Sequence, residues 1–204
     1  MDVEAAIVNV ALLILLTVPH EYAHAWVAEK LGDDTPRLEG RVTLYPLAHI
    51  DWLGTVILPA ITSLMGAGFL GWGRPVNTNP YRLRWGMNGL LLVALAGPVS
   101  NVILAVILAF LVVIIRSVAP ILAEFLVRGI PLSLYLALFN MIPVPPLDGS
   151  KLLLAMRIPP AIYGELARFG FLLVLLAMSY TGMASWMSYW SLRGARGILS
   201  LFGV

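Results

Sequence analysis

From Trp85 to Ile115 the chain is one apolar run, interrupted only at Gly97-Pro98. About 20 such residues cross a bilayer as a helix, and within a membrane neighbouring helices tolerate a Gly-Pro break. This segment is expected to span. The composition agrees: 60% of the 204 residues are hydrophobic and 12% are charged, against about 25% charged in an ordinary soluble domain. That apolar content fills about four to six crossings and leaves little for an aqueous domain. The expected fold is an all-α polytopic membrane protein, a bundle of about four to six transmembrane helices.

Charge and cysteine content exclude other classes. Thirteen Lys+Arg against eleven Asp+Glu give a formal +2 with no basic run, so a nucleic-acid surface is not expected. With no cysteine there is no disulfide, thiolate metal site or cysteine nucleophile. The start, Met1-Asp2-Val3-Glu4, is acidic where a signal peptide is basic, so the first helix is read as permanent.

Along the chain, Val3 to Leu31 reads as one helix containing Pro19, about 43 Å long at 1.5 Å per residue. Gly32 to Pro36 stops it, and Gly40 to Tyr45 alternates like a strand, which predicts a short β-hairpin at the membrane surface. Asp51 to Trp72 is apolar but holds Gly54, Pro59, Gly66, Gly68 and Gly71, the pattern of a bent, re-entrant segment. Ile130 to Met141 forms a further apolar span, and Pro143, Pro145 and Pro146 forbid its helix from continuing. The tail from Ala161 contains an apolar run, Phe169 to Met178. It then carries Trp186, Tyr189 and Trp190 beside Arg193 and Arg196, an interfacial belt on one span plus a surface helix, or on two spans. Lys30, Arg37, Arg41, Arg74, Arg82, Arg84, Lys151 and Arg157 place their loops on the cytoplasmic side. The whole chain, 1–204, reads as a single membrane-embedded domain, with a core of about 5–155 and C-terminal helices in 161–204.

The chemistry concentrates at His20-Glu21-Tyr22-Ala23-His24, the pattern H-E-x-x-H on a helix. Its spacing puts two imidazoles on one face a turn apart, able to share one metal ion, with Glu21 placed to take a proton from a water. Inside an apolar helix such groups are costly and functional by default. A catalytic zinc takes three protein ligands. A third histidine at the spacing of H-E-x-x-H-x-x-G-x-x-H is excluded by Val27 and Lys30. Glu29, Glu39 and Asp51 remain open, although Glu29 lies about 140° around the helix from His24. Asp148 is the preferred third ligand. It follows a proline-broken helix end in an apolar segment, where a carboxylate without a cation is hard to justify, though pairing with Lys151 is the plainer alternative. The small-residue stripe Gly97, Asn101, Ala105 and Ala109 reads as a helix-packing face, and His49 as part of an interfacial loop.

These motifs together resemble the site-2 protease family of intramembrane zinc metalloproteases. The resemblance rests on H-E-x-x-H in the first membrane helix and on Asn140-x-x-Pro143-x-x-Pro146-Leu147-Asp148-Gly149. It extends to Gly40 through Asp51, Gly73-Arg74-Pro75-Val76 and Ala96-Gly97-Pro98-x-x-Asn101, covering roughly residues 5–155. It is to a compact form: no PDZ-like or nucleotide-binding module is visible, and the chain begins at the H-E-x-x-H helix, which some members precede with another. The resemblance implies one zinc ion held by His20, His24 and Asp148, Glu21 as the catalytic glutamate, and Asn140 and Asn101 at positions that contact substrate or shape the site.

The implied function is hydrolysis of peptide bonds within or near transmembrane segments of other membrane proteins, with Glu21 as general base. A substrate helix must unwind first, and Val144 and the expected hairpin at Arg41 to Leu44 are read as edges on which the unwound strand pairs. The expected partners are transmembrane proteins or peptides and the lipid bilayer. The compact chain points to a prokaryotic plasma membrane, with the site toward the cytoplasm. A divalent-metal transporter and a catalytically idle helix-binding scaffold are the competing readings. The transporter would carry ligands at several depths or paired repeats, which are not visible here.

Overall fold

A computed structural model describes residues 3–64 and 71–203; residues 65–70, which include Gly66 and Gly68 of the expected bent segment, lie outside the described residues. The first helix, α1 (Val3–Lys30), runs through Pro19. A single turn, α2 (Thr35–Leu38), follows, and Gly40 closes it in the left-handed region at φ +68°.

The hairpin expected from Gly40 to Tyr45 is not formed, and no strand occurs among the described residues. The alternation there has no partner strand. Its polar backbone is met locally: Arg41 N–H donates to Pro36 O at 2.8 Å, Tyr45 N–H to Thr43 Oγ1 at 3.1 Å, and His49 Nε2 to Thr43 O at 2.7 Å. A 3₁₀ turn, Pro46–Ala48, completes this loop.

The next segment starts with Asp51 accepting from Gly54 N at 2.7 Å and forms a π-helical turn, Trp52–Ile57, that runs into α3 (Leu58–Leu64). Where the described chain resumes, its backbone returns to the start of the same segment. Trp72 N–H donates to Gly54 O at 3.0 Å, Thr55 Oγ1 to Trp72 O at 2.8 Å, and Arg74 N–H to His49 O at 2.9 Å. The two ends of this apolar excursion are thus clasped side by side. Residues 71–79 are irregular, and Asp33 anchors them to the end of α1 by accepting from Asn79 N at 2.6 Å.

The second long helix, α4 (Met87–Ile115), contains Pro98. After it comes α5 (Pro120–Asn140), which begins well before the Ile130 at which the apolar run starts. Its first turns carry the pair Glu124 and Arg128, 2.6 Å apart at i, i+4, which hid the helix from a reading based on apolar periodicity. The proline-rich turn 141–149 leads to α6 (Ser150–Ala155), and the tail folds as α7 (Pro160–Tyr180) and α8 (Met183–Leu201), joined at Gly182, φ +74°.

Four of these helices, α1 from Ala6, α4, α5 and α7, have the length and apolarity to cross a membrane. The tail therefore matches the reading of one span plus a further helix. α4 packs between α1 and α5, and α5 also packs against α8. Leu16, Ala105, Leu108, Ala109, Val112, Leu126, Ile130 and Ala195 form the main buried cluster. A second cluster, Ala28, Leu83, Leu90 and Val93, locks the end of α1 to the start of α4.

Candidate metal centre

The helical spacing of His20 and His24 brings their rings edge to face, with centroids 4.7 Å apart. Their Nε2 atoms stand 3.1 Å from each other, and each stands 3.1 Å from Asp148 Oδ2. Asp148 reaches this point from the turn after α5, which is pinned: Gly149 N–H donates to Asn140 O at 2.7 Å, and a Cβ on Gly149 would collide with Met141 O.

Three ligand atoms on a near-equilateral triangle suit a cation. For N and O ligands about 2.0–2.1 Å from a tetrahedral ion, the ligand atoms stand about 3.3 Å apart, close to the observed edges. The tautomers argue the same way. Val93 O can only accept, so His24 Nδ1, 2.7 Å away, carries a proton, which leaves Nε2 of a neutral ring free to offer its lone pair beside Asp148. Lone pairs converging in a buried site suit a positive centre between them. The donor set of two imidazoles and one carboxylate also leaves room for a fourth, exchangeable position. The residues fit a zinc ion.

Packing fixes the triangle. Gly97 of α4 lies against both rings, and a Cβ there would overlap Nε2 of His24 and meet Nε2 and Cε1 of His20. The sequence signal for this contact was the small-residue stripe, read only as a helix-packing face; its first residue in fact faces the imidazoles. The stripe's remaining members, Asn101, Ala105 and Ala109, are buried, and Ser133 Oγ of α5 donates to Asn101 O at 2.7 Å.

A cavity of about 470 Å³ opens on the triangle. Glu21, His20, His24, Asp148, Asn101 and Asn140 all line it, as do Gly73 of the Gly73-Arg74-Pro75-Val76 motif, Lys151, and Thr17, which no motif contained. Glu21 is buried, and Gly73 packs onto it so closely that a Cβ would lie 3.2 Å from Glu21 Oε1. Asn101 keeps both side-chain polar atoms buried without a partner. Asn140 instead donates from Nδ2 to Leu136 O at 3.0 Å, back along its own helix. Val144 is not among the lining residues: its N–H donates to Ile142 O, its carbonyl accepts from Leu147 N, and its side chain faces Gly170.

The other carboxylates considered for the triangle are engaged elsewhere. Glu29 pairs with Arg37 at 3.3 Å, Glu39 accepts from Asn77 at 3.0 Å, and Asp51 caps the π-helical turn. His49 is fully buried away from the cluster, with burial holding its pKa below the ordinary range.

Compared with known proteins, the chain is 37% identical over 202 residues to YwhC of Bacillus subtilis, covering 93% of this chain and 88% of that one. It is 31% identical over 182 residues to Rip2 of Mycolicibacterium smegmatis, covering 84% of this chain and 67% of the other. A protein of Methanocaldococcus jannaschii is 36% identical over 135 residues, 66% of this chain and 62% of its own. All three are named as candidate zinc metalloproteases. No family model and no solved structure matches the chain.

Proposed function

The chain belongs to the same family as YwhC and Rip2, a family named for zinc metalloproteases, and from that premise we propose that it is an intramembrane protease of the site-2 type. It hydrolyses peptide bonds within or near membrane-spanning segments of other proteins. The observation that carries this reading is the His20, His24 and Asp148 triangle, with Glu21 beside it, in a cavity walled by α1, α4, α5 and α7, which among the described residues are the helices long and apolar enough to span.

His20 Nε2, His24 Nε2 and Asp148 Oδ2 would hold one zinc ion. Bound there, zinc lowers the pKa of a water molecule and polarises a carbonyl. Glu21 accepts the proton of the attacking water on a carboxylate oxygen and delivers it to the departing amine nitrogen. No covalent bond to the protein is needed. Val93 O holds the His24 ring in one tautomer throughout. The unpartnered amide of Asn101 faces the cavity with a donor and an acceptor to spare for a substrate backbone. Asn140, engaged with Leu136 O, shapes the wall.

An unwound substrate segment lies along the irregular stretch 71–79, whose Gly71, Trp72, Gly73 and Val76 line the cavity. This wall takes the place of the expected hairpin and of Val144, whose backbone is spoken for. The clasped ends of the excursion from Asp51 to Trp72 support its reading as re-entrant. The basic loops at Arg37, Arg74, Arg82 and Arg84 then face the cytoplasm, as does the site, in a prokaryotic plasma membrane.

The test is zinc content and cleavage of a transmembrane substrate by detergent-purified protein. Glu21→Gln is expected to keep zinc and lose cleavage by about 10²–10⁴-fold. Asp148→Ala is expected to lose both. Cleavage undiminished in Glu21→Gln, or wild-type protein that folds without zinc, overturns the reading.

A further inference from the structure

An arginine taken out of water is costly unless its donors are met, and Arg41 is 4% exposed. No carboxylate stands within ion-pair distance of it among the described residues. Its guanidinium donates instead to Ala48 O and faces Arg74 O at 3.5 Å. These carbonyls belong to two separate stretches: the turn Pro46–Ala48 and the 71–79 wall of the cavity.

The same two stretches meet again one residue further on, where Arg74 N–H donates to His49 O at 2.9 Å. Beneath this frame His49 is fully buried and donates to Thr43 O at 2.7 Å. Burial first, and Arg41 in addition, lower its pKa, against the hydrogen bond to Thr43 O, which raises it. What the frame holds is the neighbour of Arg74. Gly73 lies against the carboxylate side chain of Glu21 and the methyl of Thr17, with no space for a Cβ.

We propose that Arg41 is a positioning residue: by bridging the carbonyls of Ala48 and Arg74 it holds the 72–74 backbone against Glu21 and fixes the spacing of the cavity wall. Both carbonyls face the same terminal nitrogen, Nη1, whose two N–H bonds lie fixed in the guanidinium plane, an arrangement that a lysine ammonium on a flexible stem holds less well. The functional half of this inference rests on the reading of Glu21 as proton acceptor. The brace itself does not.

The experiment compares wild type, Arg41→Lys and Arg41→Gln in detergent by zinc content, substrate cleavage and hydrogen exchange of the peptide covering residues 71–78. The expected result is zinc equal to wild type in both variants and exchange at Trp72 and Arg74 faster by about tenfold or more in Arg41→Gln. Cleavage falls through kcat in parallel, with Arg41→Lys between the two. Unchanged exchange in Arg41→Gln overturns the brace. Faster exchange with undiminished cleavage overturns its role in positioning, and zinc loss with faster exchange throughout the chain reduces Arg41 to general stability and overturns it as well. If wild type itself cleaves nothing, the protease reading fails, while the exchange data still decide whether Arg41 holds the loop.

Discussion

Helices α4 and α7 are both long and apolar enough to cross a membrane, yet they are built into the molecule to very different depths. In α4 a third of the most apolar stretch is buried; in α7 the share is 11%. Hydrophobicity alone does not set that difference, because in a bilayer lipid tails solvate an apolar face as well as another helix does. Small residues at helical spacing set it. α4 presents Gly97, Asn101, Ala105 and Ala109 on one face and is held along its length. α7 buries Gly170 and Val174, near the middle of the helix, and leaves Phe169, Leu172, Leu173 and Leu176 exposed. One helix packs directly on the imidazoles of the metal site; the other closes the cavity with Phe171 and Val174 and does not touch the triangle's rings in this way.

The sharpest way to break this contrast is Gly97→Ala. The added Cβ overlaps His24 Nε2, so an imidazole must move out of the triangle or α4 must move off α1. Groups that orient metal-ligating histidines are worth about 10–100-fold in metal affinity or activity, and the expected loss is at the upper end for both. Zinc titration with a competing chelator reads it. Zinc affinity unchanged in this variant would mean that α4 does not fix the triangle.

The next effect down belongs to α7. Gly170 packs on Pro145 O and on Val144 in the turn that carries Asp148, and Phe171 stacks edge-on against Trp72 at 6.0 Å between centroids. Gly170→Ala is expected to push α7 away from the cavity mouth and to slow cleavage by about tenfold, a loss of order 1.4 kcal/mol, with zinc retained. Zinc lost together with cleavage would instead show that α7 is as much a part of the site as α4.

The contrast also explains what could be read from the sequence. The ring pair of His20 and His24 follows from i, i+4 spacing within one helix, and the helix break that precedes Asp148 follows from its prolines. Both are local facts. The meeting of Asp148 with the histidines and the packing of Gly97 on their rings are tertiary, and a glycine in a packing stripe looks the same whether it faces leucine or imidazole. The hairpin expected at Gly40 to Tyr45 shows the opposite failure: an alternating pattern without a partner strand, whose backbone is satisfied by Thr43 and His49 instead. The beginning of α5 was hidden because an exposed Glu124–Arg128 pair interrupts the apolar signal without interrupting the helix.

The smallest effect tests the contrast where it is purely structural. Ser133 Oγ donates across the α4–α5 contact to Asn101 O at 2.7 Å, fully buried, whereas Ser179 Oγ on α7 donates to Leu175 O of its own helix at 2.8 Å, exposed. Hydrogen bonds between membrane helices are worth about 0.6 kcal/mol on average and about 1.7 kcal/mol at most. A bond returned to the same helix adds nothing to association. Ser133→Ala is therefore expected to lower unfolding free energy in detergent by about 0.6 kcal/mol or somewhat more, and Ser179→Ala to leave it unchanged. Equal losses in the two variants would erase the distinction between a helix held across its neighbours and one that rests against them. An effect at Ser133 alone would extend that distinction from the metal site to the whole α4–α5 contact.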